Sequence, residues 1–158
     1  MAKAYFAGGC FWGVEFYMKR IPGVVNVISG YSGGDEENPT YEDVCSKKTG
    51  HAETVEVEYD DKKVKYADLV WTFFRIHDFT QVNRQGPDIG VQYRSEIFYV
   101  NEEQRIDATE IIEDLKGRGY DVATQLTPFK AFWPAEDYHQ NYYDKKGGEP
   151  YCHYLRNI

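Results

Sequence analysis

The chain has 158 residues, which suits one folded domain and leaves no room for a second full domain. Hydrophobic residues make up 42% of the composition, which excludes a disordered chain, and acidic residues outnumber basic ones 26 to 18. The resulting net charge of −8 disfavours binding to nucleic acid. The sequence shows no secretory signal and no apolar stretch long enough to span a bilayer, so we expect a soluble cytoplasmic protein.

The first half of the chain alternates between strand-like and helix-like patterns. β-branched and alternating runs predict strands, apolar residues at helical spacing predict helices, and Pro22 with Gly23 ends the first helix. The segment 30–50 is rich in Gly, Asp, Asn and Ser, and its aromatic residues favour a functional loop. The predicted strands are 4–7, 24–29 and 52–59, and the predicted helices are 11–20 and 66–76.

The second half continues this alternation after a second polar loop at 77–91. Asn101 is a good N-cap and is followed by two glutamates that suit the first turn of a helix. The last residues, 145–158, are predicted to form an irregular and mobile tail. The other predicted elements are strands at 94–100 and 122–126, helices at 101–116 and 135–144, and an aromatic cluster at 129–133. Together they predict one domain over 1–158, an α/β (or α+β) sandwich with helices packed on a mixed central sheet.

Cys10 is the first candidate for chemistry, because it follows a strand and two glycines and opens a helix. A thiol at a helix N-terminus lies among free backbone N–H groups at the positive end of the dipole, which stabilises the thiolate. Phe11 and Trp12 would then supply an apolar wall beside the sulfur. The same placement also suits an inert buried thiol among core aromatics, so both interpretations stay open from placement alone.

Glu53 is the candidate acid. By strand alternation it shares a face with Val55 and Val57, the apolar face. A carboxyl group on a buried face loses solvation, which raises its pKa and lets it act as a general acid near neutral pH. The alternative is that Glu53 lies at a strand end and reaches solvent, which is the more common outcome for Glu.

Three further polar side chains lie in or beside the two long loops. The phenols of Tyr41 and Tyr93 can donate hydrogen bonds to a polarised oxygen. Asp88 lies in the turn-rich segment 86–90, where turn formation is its simplest role. Taken singly, each of the three is more often structural.

The chain has three cysteines, Cys10, Cys45 and Cys152, and no C-x-x-C pair. An odd number without a secretory signal argues against a disulfide scaffold. Cys152 lies in the predicted tail, from which a second thiol can reach a distant first one and resolve an oxidised cysteine; a surface thiol is the alternative. Cys45, inside the first loop, is the weaker candidate for the resolving role.

The four histidines form no metal-ligand pattern with the cysteines, so we expect no metal site. The sequence contains no phosphate-binding loop and no dinucleotide fingerprint. A hydrolase-type pair of Cys10 and His139 stays open, because such pairs are assembled in space rather than in sequence.

The segment around Cys10 resembles the signature of the A-type peptide methionine sulfoxide reductases. The resemblance continues in order from about residue 4 to about residue 154, which makes it very specific. The matching segments are GCFWG (9–13), GYSGG (30–34), PTY (39–41), TGHAE (49–53), HD (77–78), NRQGPD (83–88), QYRS (92–95) and HQ (139–140). Two segments depart from the family's pattern: Lys47 and Lys48 precede Thr49, and the tail over 147–152 differs from the common Asn-Pro-Asn-Gly type.

The resemblance implies the family's α/β sandwich and the thiol-dependent reduction of methionine S-sulfoxide, free or in proteins. It implies that Cys10 is the nucleophile and that Cys152 lies where many members carry a resolving cysteine. It implies no cofactor beyond an external thiol reductant, typically thioredoxin. The residues that match the family's substrate site are Phe11 and Trp12 for the methyl group, Glu53, Tyr41 and Tyr93 for the sulfoxide oxygen, and Asp88 as a further polar member.

Two other functions compete with this one. A different thiol redox enzyme, such as a peroxide reductase, would need only Cys10 and Cys152 and would leave Glu53 unexplained. A catalytically silent module that binds oxidised methionine peptides would use the aromatic residues but not the thiol.

Overall fold

The structure is a computed structural model that describes residues 1–46, 49–150 and 153–158. Up to residue 76 the chain alternates between strands and helices, as the sequence predicts, and beyond it several short strands follow one another. The strands are β1 (Ala2–Gly8), β2 (Val24–Ser32), β3 (Ala52–Tyr59), β4 (Arg84–Gln85), β5 (Asp88–Ile89), β6 (Ser95–Tyr99), β7 (Gln125–Pro128) and β8 (Phe132–Pro134). The helices are α1 (Phe11–Met18), α2 (Tyr41–Cys45), α3 (Tyr66–Ile76), α4 (Glu102–Gly117) and α5 (Tyr142–Lys146).

Six of these strands form one sheet in the order β7-β6-β1-β3-β2-β8, and β4 and β5 form a separate small hairpin. The neighbours in the large sheet pair antiparallel except β6 and β7, which are parallel. The predicted mixed sheet with flanking helices is therefore confirmed.

The main core lies between the sheet and the layer of α1, α3 and α4. Phe6 of β1 and Val55 of β3 pack there against helix residues such as Phe73 and Leu115, all of them fully buried. A smaller cluster on the opposite face groups Tyr5, Ala7, Ala52 and Phe98, with Phe129 and Phe132 packed against it. Burial on both faces makes the domain a sandwich.

The strand β3 is the element that positions the candidate acid. Its bounds match the predicted strand, and the side chains of Glu53, Val55, Val57 and Tyr59 are all buried. Glu53 pairs with Tyr31 of β2 in the antiparallel register. The alternative in which Glu53 reaches solvent is therefore wrong, because the first residues of β3 are covered rather than exposed.

The first long loop contains more regular structure than the sequence predicts. Strand β2 continues to Ser32, and α2 lies within the predicted loop 30–50. Thr40 caps this helix, since its side chain accepts a hydrogen bond from the Asp43 N–H and the Asp43 side chain accepts one from the Thr40 N–H. Five residues are too few to show a helical period, which explains why the pattern predicts only a loop.

The region after α4 also differs from the prediction. Strand β7 begins at Gln125 rather than 122, and part of the predicted aromatic cluster forms β8. The predicted helix over 135–144 is wrong: a 3₁₀ turn (Asp137–His139) and α5 lie there instead. The break between them is at Asn141, whose backbone adopts φ +55, a left-handed conformation that ends one helical segment before the next begins.

The last described residues, 153–158, contact two helices of the domain. Tyr17 donates to the His153 carbonyl at 3.2 Å, and the Arg156 N–H donates to the Arg75 carbonyl at 2.9 Å. Residues 145–148 are exposed. The mobility of the tail stays a prediction, and Cys152 lies outside the described residues. In the part of the chain that the structure describes, no helix is both long enough and apolar enough to cross a membrane.

Candidate active site

Cys10 lies between the end of β1 and the first residue of α1, as the sequence predicts. It is the N-cap residue of the helix, with its carbonyl accepting from the Gly13 N–H at 3.2 Å, and its side chain is partly exposed. Gly9 precedes it with φ +93, a left-handed backbone conformation that suits glycine. The thiol is therefore presented at the positive end of the helix dipole with a path to solvent.

Glu53 lies beneath this helix start. Its Oε1 accepts a hydrogen bond from the Phe11 N–H at 3.2 Å, and its side chain is 1% exposed. Burial raises the pKa of Glu53 to about 8, helped by the negative charge of Asp88 and opposed by the Phe11 hydrogen bond. The carboxyl is consequently protonated at neutral pH. Its Oε2 is buried without a hydrogen-bond partner among the residues that the structure describes, so the acidic proton has no acceptor there until a ligand supplies one.

Tyr41 and Tyr93 lie within electrostatic range of both Glu53 and Cys10. Burial raises the pKa of Tyr41, and so do its hydrogen bond with Cys45 and the charges of Glu53 and Cys10. Burial also raises the pKa of Tyr93, together with the charges of Glu53, Tyr41, Asp88 and Cys10. Both phenols are therefore protonated hydrogen-bond donors across the neutral range.

Asp88 reaches the same site from the small hairpin. It lies in β5 opposite Gln85 of β4, and it is partly buried. The Gln85 side chain accepts from the Asp78 N–H at 2.7 Å and donates to the Asp78 carbonyl at 2.9 Å, which fixes the hairpin against the end of α3. The turn role expected for Asp88 is thus combined with a charge close enough to act on Glu53.

An aromatic wall stands beside the helix start. Phe11 is buried against Tyr31 and His139, with ring centroids 5.7 and 5.2 Å away. Trp12 is partly exposed and stacks flat on Tyr142, with centroids 3.7 Å apart and planes 5° from parallel. The Trp12 indole N–H donates to His139 Nδ1 at 3.0 Å, which fixes the ring from its other edge.

This hydrogen bond also answers the open question of a Cys10–His139 pair. Burial lowers the pKa of His139, so its ring is neutral and carries one proton. Because Nδ1 accepts the Trp12 N–H, the proton lies on Nε2. The ring then has no lone pair left to take a proton from a thiol, and His139 acts as a fixed part of the wall.

Two residues of the site, Glu136 and Tyr142, have no sequence pattern that predicts them, and His139 takes a different role from the thiol partner considered above. Glu136 accepts from the Tyr31 hydroxyl at 3.2 Å and from the Tyr41 N–H at 3.1 Å, which holds the start of α2 against β2. These contacts join residues about a hundred positions apart, so no local pattern could reveal them. The matching HQ segment at 139–140 was the only sequence signal in this region.

Of the two cysteines outside the start of α1, the structure describes only Cys45. Cys45 ends α2 and contacts the Tyr41 hydroxyl, and burial raises the pKa of its thiol against the opposing effect of that hydrogen bond. Cys152, the predicted resolving cysteine, lies outside the described residues. Among residues 1–46, 49–150 and 153–158 no cluster of His, Cys, Asp and Glu could hold a metal ion.

Comparisons with known proteins show which family the chain belongs to. The family model for peptide methionine sulfoxide reductase matches residues 2–158. A peptide methionine sulfoxide reductase MsrA from Nautilia profundicola is 51% identical over 98% of this chain and 90% of its own length. The reduced form of Mxr1 from Saccharomyces cerevisiae matches with a TM-score of 0.92 at 38% identity, covering 99% of this chain and 92% of that one.

A second structure of the yeast protein, Mxr1 in complex with Trx2, matches with a TM-score of 0.68 at 27% identity and covers 99% of this chain and 90% of that one. The matches span nearly the whole sequence in each comparison. On this evidence the chain belongs to the A-type peptide methionine sulfoxide reductases, oxidoreductases that reduce methionine sulfoxide with thiols.

Proposed function

We propose that Cys10 attacks the sulfoxide sulfur while Glu53 protonates the sulfoxide oxygen. The observation that carries this assignment is the Glu53 carboxyl: it is buried, its pKa is raised to about 8, and in the described part of the chain its Oε2 has no hydrogen-bond partner. A sulfoxide sulfur becomes a good electrophile only when its oxygen accepts a proton or a strong hydrogen bond. The Phe11 N–H links the acid directly to the residue after the nucleophile.

The products follow from the atom balance. The cysteine sulfur bonds to the substrate sulfur. The substrate's sulfur–oxygen bond and this new sulfur–sulfur bond then break, and the hydroxyl oxygen bonds to the Cys10 sulfur as a sulfenic acid while methionine leaves. Two electrons pass from the thiol to the substrate, and the proton given by Glu53 is replaced by the thiol proton. This balance requires no metal and no prosthetic group.

The remaining site residues orient the substrate. In this proposal Phe11 and Trp12, the latter backed by Tyr142, offer an apolar surface for the methyl group. Tyr93 donates to the same oxygen as Glu53, and so does Tyr41 once its hydroxyl turns away from Cys45. With the methyl group, the oxygen and the direction of attack fixed, only one epimer leaves its peptide chain pointing to solvent. We assign the S epimer, because one class of enzyme serves each epimer and the A-type class serves S.

We propose that Cys152 then resolves the sulfenic acid as a Cys10–Cys152 disulfide, which thioredoxin reduces. The yeast relative seen with Trx2 supports thioredoxin as the partner. In this proposal the whole chain, 1–158, is one catalytic domain and the tail over 145–158 brings the second thiol. A cycle that ends with two free thiols suits a reducing compartment, which supports a cytoplasmic location.

A single-turnover experiment tests the reaction. Pre-reduced protein is mixed with a racemic methionine sulfoxide peptide without added reductant, the epimers are separated by chiral chromatography, and the cysteines are mapped by mass spectrometry. We expect loss of the S epimer alone, about one methionine per chain, and a Cys10–Cys152 disulfide; the Cys10→Ser variant should release none. Persistence of both epimers with Cys10 still a thiol would refute the enzyme assignment, and peroxide consumption faster than sulfoxide reduction would favour the other thiol enzyme.

A further inference from the structure

In the first turn of α1, a neighbouring ring packs against the backbone only because residue 13 is glycine. A Cβ atom on Gly13 would lie 2.1 Å from Nδ1 of His153, and one on Gly9 would lie 3.3 Å from its Nε2. The first distance is far below van der Waals contact, so any larger residue at position 13 would displace the ring. The imidazole of His153 therefore fills the space above the helix turn that follows Cys10.

Both the side chain and the backbone of His153 also form hydrogen bonds with the rest of the domain. Its Nε2 donates to the Gly8 carbonyl at 2.6 Å, and its own carbonyl accepts from the Tyr17 hydroxyl at 3.2 Å. The ring is 1% exposed, and burial lowers its pKa to about 4, so it is neutral at physiological pH. A neutral ring buried with its N–H paired is a stable contact rather than an accidental one.

These contacts involve residues on both sides of Cys10 in the sequence. Gly8 and Gly9 precede Cys10, and Gly13 follows it by three residues. The chain after His153 is held as well, because the Arg75 side chain donates to the Arg156 carbonyl at 2.8 Å. His153 is therefore the first described point at which the C-terminal segment is fixed to the loop that carries Cys10.

Cys152 is the neighbour of His153 in the sequence, and consecutive Cα atoms are about 3.8 Å apart. We propose that His153 is a positioning residue for the recycling step: its contact with Gly8, Gly9 and Gly13 fixes the chain, one residue after the second thiol in sequence, beside the loop that carries Cys10. This inference rests on the proposed function. In the step concerned, the Cys152 sulfur attacks the sulfenic sulfur of Cys10, the S–O bond breaks, and the hydroxyl leaves with the Cys152 thiol proton as water.

The proposed role of His153 concerns disulfide formation but not methionine release, whereas a general structural defect would slow both steps. Methionine release needs Cys10, Glu53 and the aromatic wall but not the tail. Disulfide formation needs the two thiols held together, and losing such positioning costs a large part of the effective concentration of the second thiol. Loss of the His153 contact should therefore leave the first step intact and slow the second.

The test uses the full-length protein in four forms besides wild type: His153→Ala, Gly13→Ala, the double variant, and Gly117→Ala as a matched glycine control. A Cβ atom on Gly117 in α4 would meet nothing within 4 Å. Each form is mixed with excess methionine S-sulfoxide without reductant. Methionine is counted, the sulfenic acid is trapped with a carbon nucleophile, and the disulfide is followed by quenched mass spectrometry.

We expect every form to release about one methionine per chain at an unchanged rate. Disulfide formation should slow about tenfold or more in His153→Ala, with trapped sulfenic acid rising to match, while Gly117→Ala behaves as wild type. In the His153→Ala background, Gly13→Ala should add little, because the ring that its Cβ would meet is gone.

Unchanged disulfide rates in His153→Ala would overturn the inference. Independent, multiplying effects of the two substitutions would overturn it too, since the ring would not be what links Gly13 to the tail. If Gly13→Ala alone loses methionine release, it has distorted the helix start, and His153→Ala, which only removes atoms, decides. Failure of wild type to release methionine would instead refute the proposed function.

Discussion

At the scale of single residues, Glu53 combines two properties that side chains rarely share: it is fully buried and it is ionisable near neutral pH. Burial favours the neutral acid, and the Phe11 N–H is the only hydrogen bond it makes in the structure's described part. In the proposed mechanism this environment keeps the carboxyl protonated, ready to give its proton to a sulfoxide oxygen that becomes more basic as its sulfur is attacked.

Replacing Glu53 by Gln should therefore slow the reductive step by about 10²–10⁴-fold, the usual contribution of a general acid, with a smaller effect on substrate binding. Because the pKa of Glu53 is raised to about 8, the wild-type single-turnover rate should lose this contribution as pH rises through 8, and the variant should lack that decline. Quenched-flow measurement of methionine release between pH 6.5 and pH 9.5 checks both.

The matched control for this substitution is Glu56→Gln. Glu56 lies on the opposite face of β3, partly buried and bonded to the Tyr5 hydroxyl at 2.8 Å. It should keep the wild-type rate and pH profile. An alkaline decline that persists in Glu53→Gln would show that another group supplies the proton.

Tyr142 gives the second prediction at this scale. Its ring stacks on Trp12, and such pairs contribute about 0.5–1.5 kcal/mol. Tyr142→Ala should therefore raise the KM for a methionine sulfoxide peptide about two- to tenfold with little change in kcat, whereas Tyr142→Phe should keep the stack and the wild-type KM. Steady-state kinetics of the two variants, with dithiothreitol as reductant, compare them; equal KM values would contradict a role for the stack.

The positions of Cys10 and Glu53 were predictable from the sequence, whereas their partners were not. Strand alternation alone places Glu53 on the apolar face, and the glycines before Cys10 indicate a helix start; both expectations hold in the structure. The partners of these residues were out of reach. Glu136 and Tyr142 enter the site through contacts across most of the chain, and tertiary contacts of that kind leave no periodic pattern.

At the scale of elements, α2 is the short helix on which the site depends most. It carries Tyr41 at its first position and Cys45 at its last, and five residues cannot form a stable helix alone. Two contacts compensate: the capping box of Thr40 and Asp43, and the hydrogen bond from the Tyr41 N–H to Glu136. The direction of the Tyr41 phenol therefore depends on a helix cap.

Thr40→Ala should remove about 1 kcal/mol of capping free energy, local to α2. We expect faster amide hydrogen exchange in 41–45 and a lower single-turnover rate, because Tyr41 is less well oriented. Asn101→Ala is the matched control: Asn101 caps α4 by accepting from the Gln104 N–H at 2.9 Å, far from the site, so it should cost similar stability and leave the rate unchanged. Equal rates for all three proteins would mean that the cap does not orient Tyr41.

Elements with a strong period were predictable and those defined by pairing partners were not. The bounds of β3 and α3 match the prediction, since eight alternating residues and an eleven-residue apolar helix each carry their own signal. Strand β8 has three residues and exists because it pairs with β2. The parallel pairing of β7 with β6 likewise depends on where α4 returns the chain rather than on the composition of either strand.

At the scale of the whole molecule, buried histidines whose pKa is lowered link stability to pH: His77, His153 and, as described above, His139. Burial lowers the pKa of His77 to about 3 and that of His153 to about 4, below the ordinary value of 6.5. Between those values the unfolded chain binds more protons than the folded one, so each histidine costs stability as pH falls from about 6.5 toward 4. Glu53 has the opposite sign, because its raised pKa makes the folded state bind more protons.

Comparison of wild type with His153→Gln isolates one of these contributions. The difference in unfolding free energy between wild type and variant should shift by about 3 kcal/mol against wild type between pH 7 and pH 4, since Gln does not titrate. Urea unfolding at the two pH values measures it. A difference that stays constant with pH would mean that His153 is not buried in the neutral form.

The pairing of Glu53 with Tyr31 has a consequence for how this enzyme tolerates changes in length. Side chains alternate along β3, so inserting or deleting one residue between Glu53 and Val57 while the rest of the strand keeps its register would turn the carboxyl to the face of Phe98, with the acid still present in the chain. Only changes of two residues would preserve its direction. The proposed catalytic acid thus depends on the parity of its position along β3 as much as on its identity.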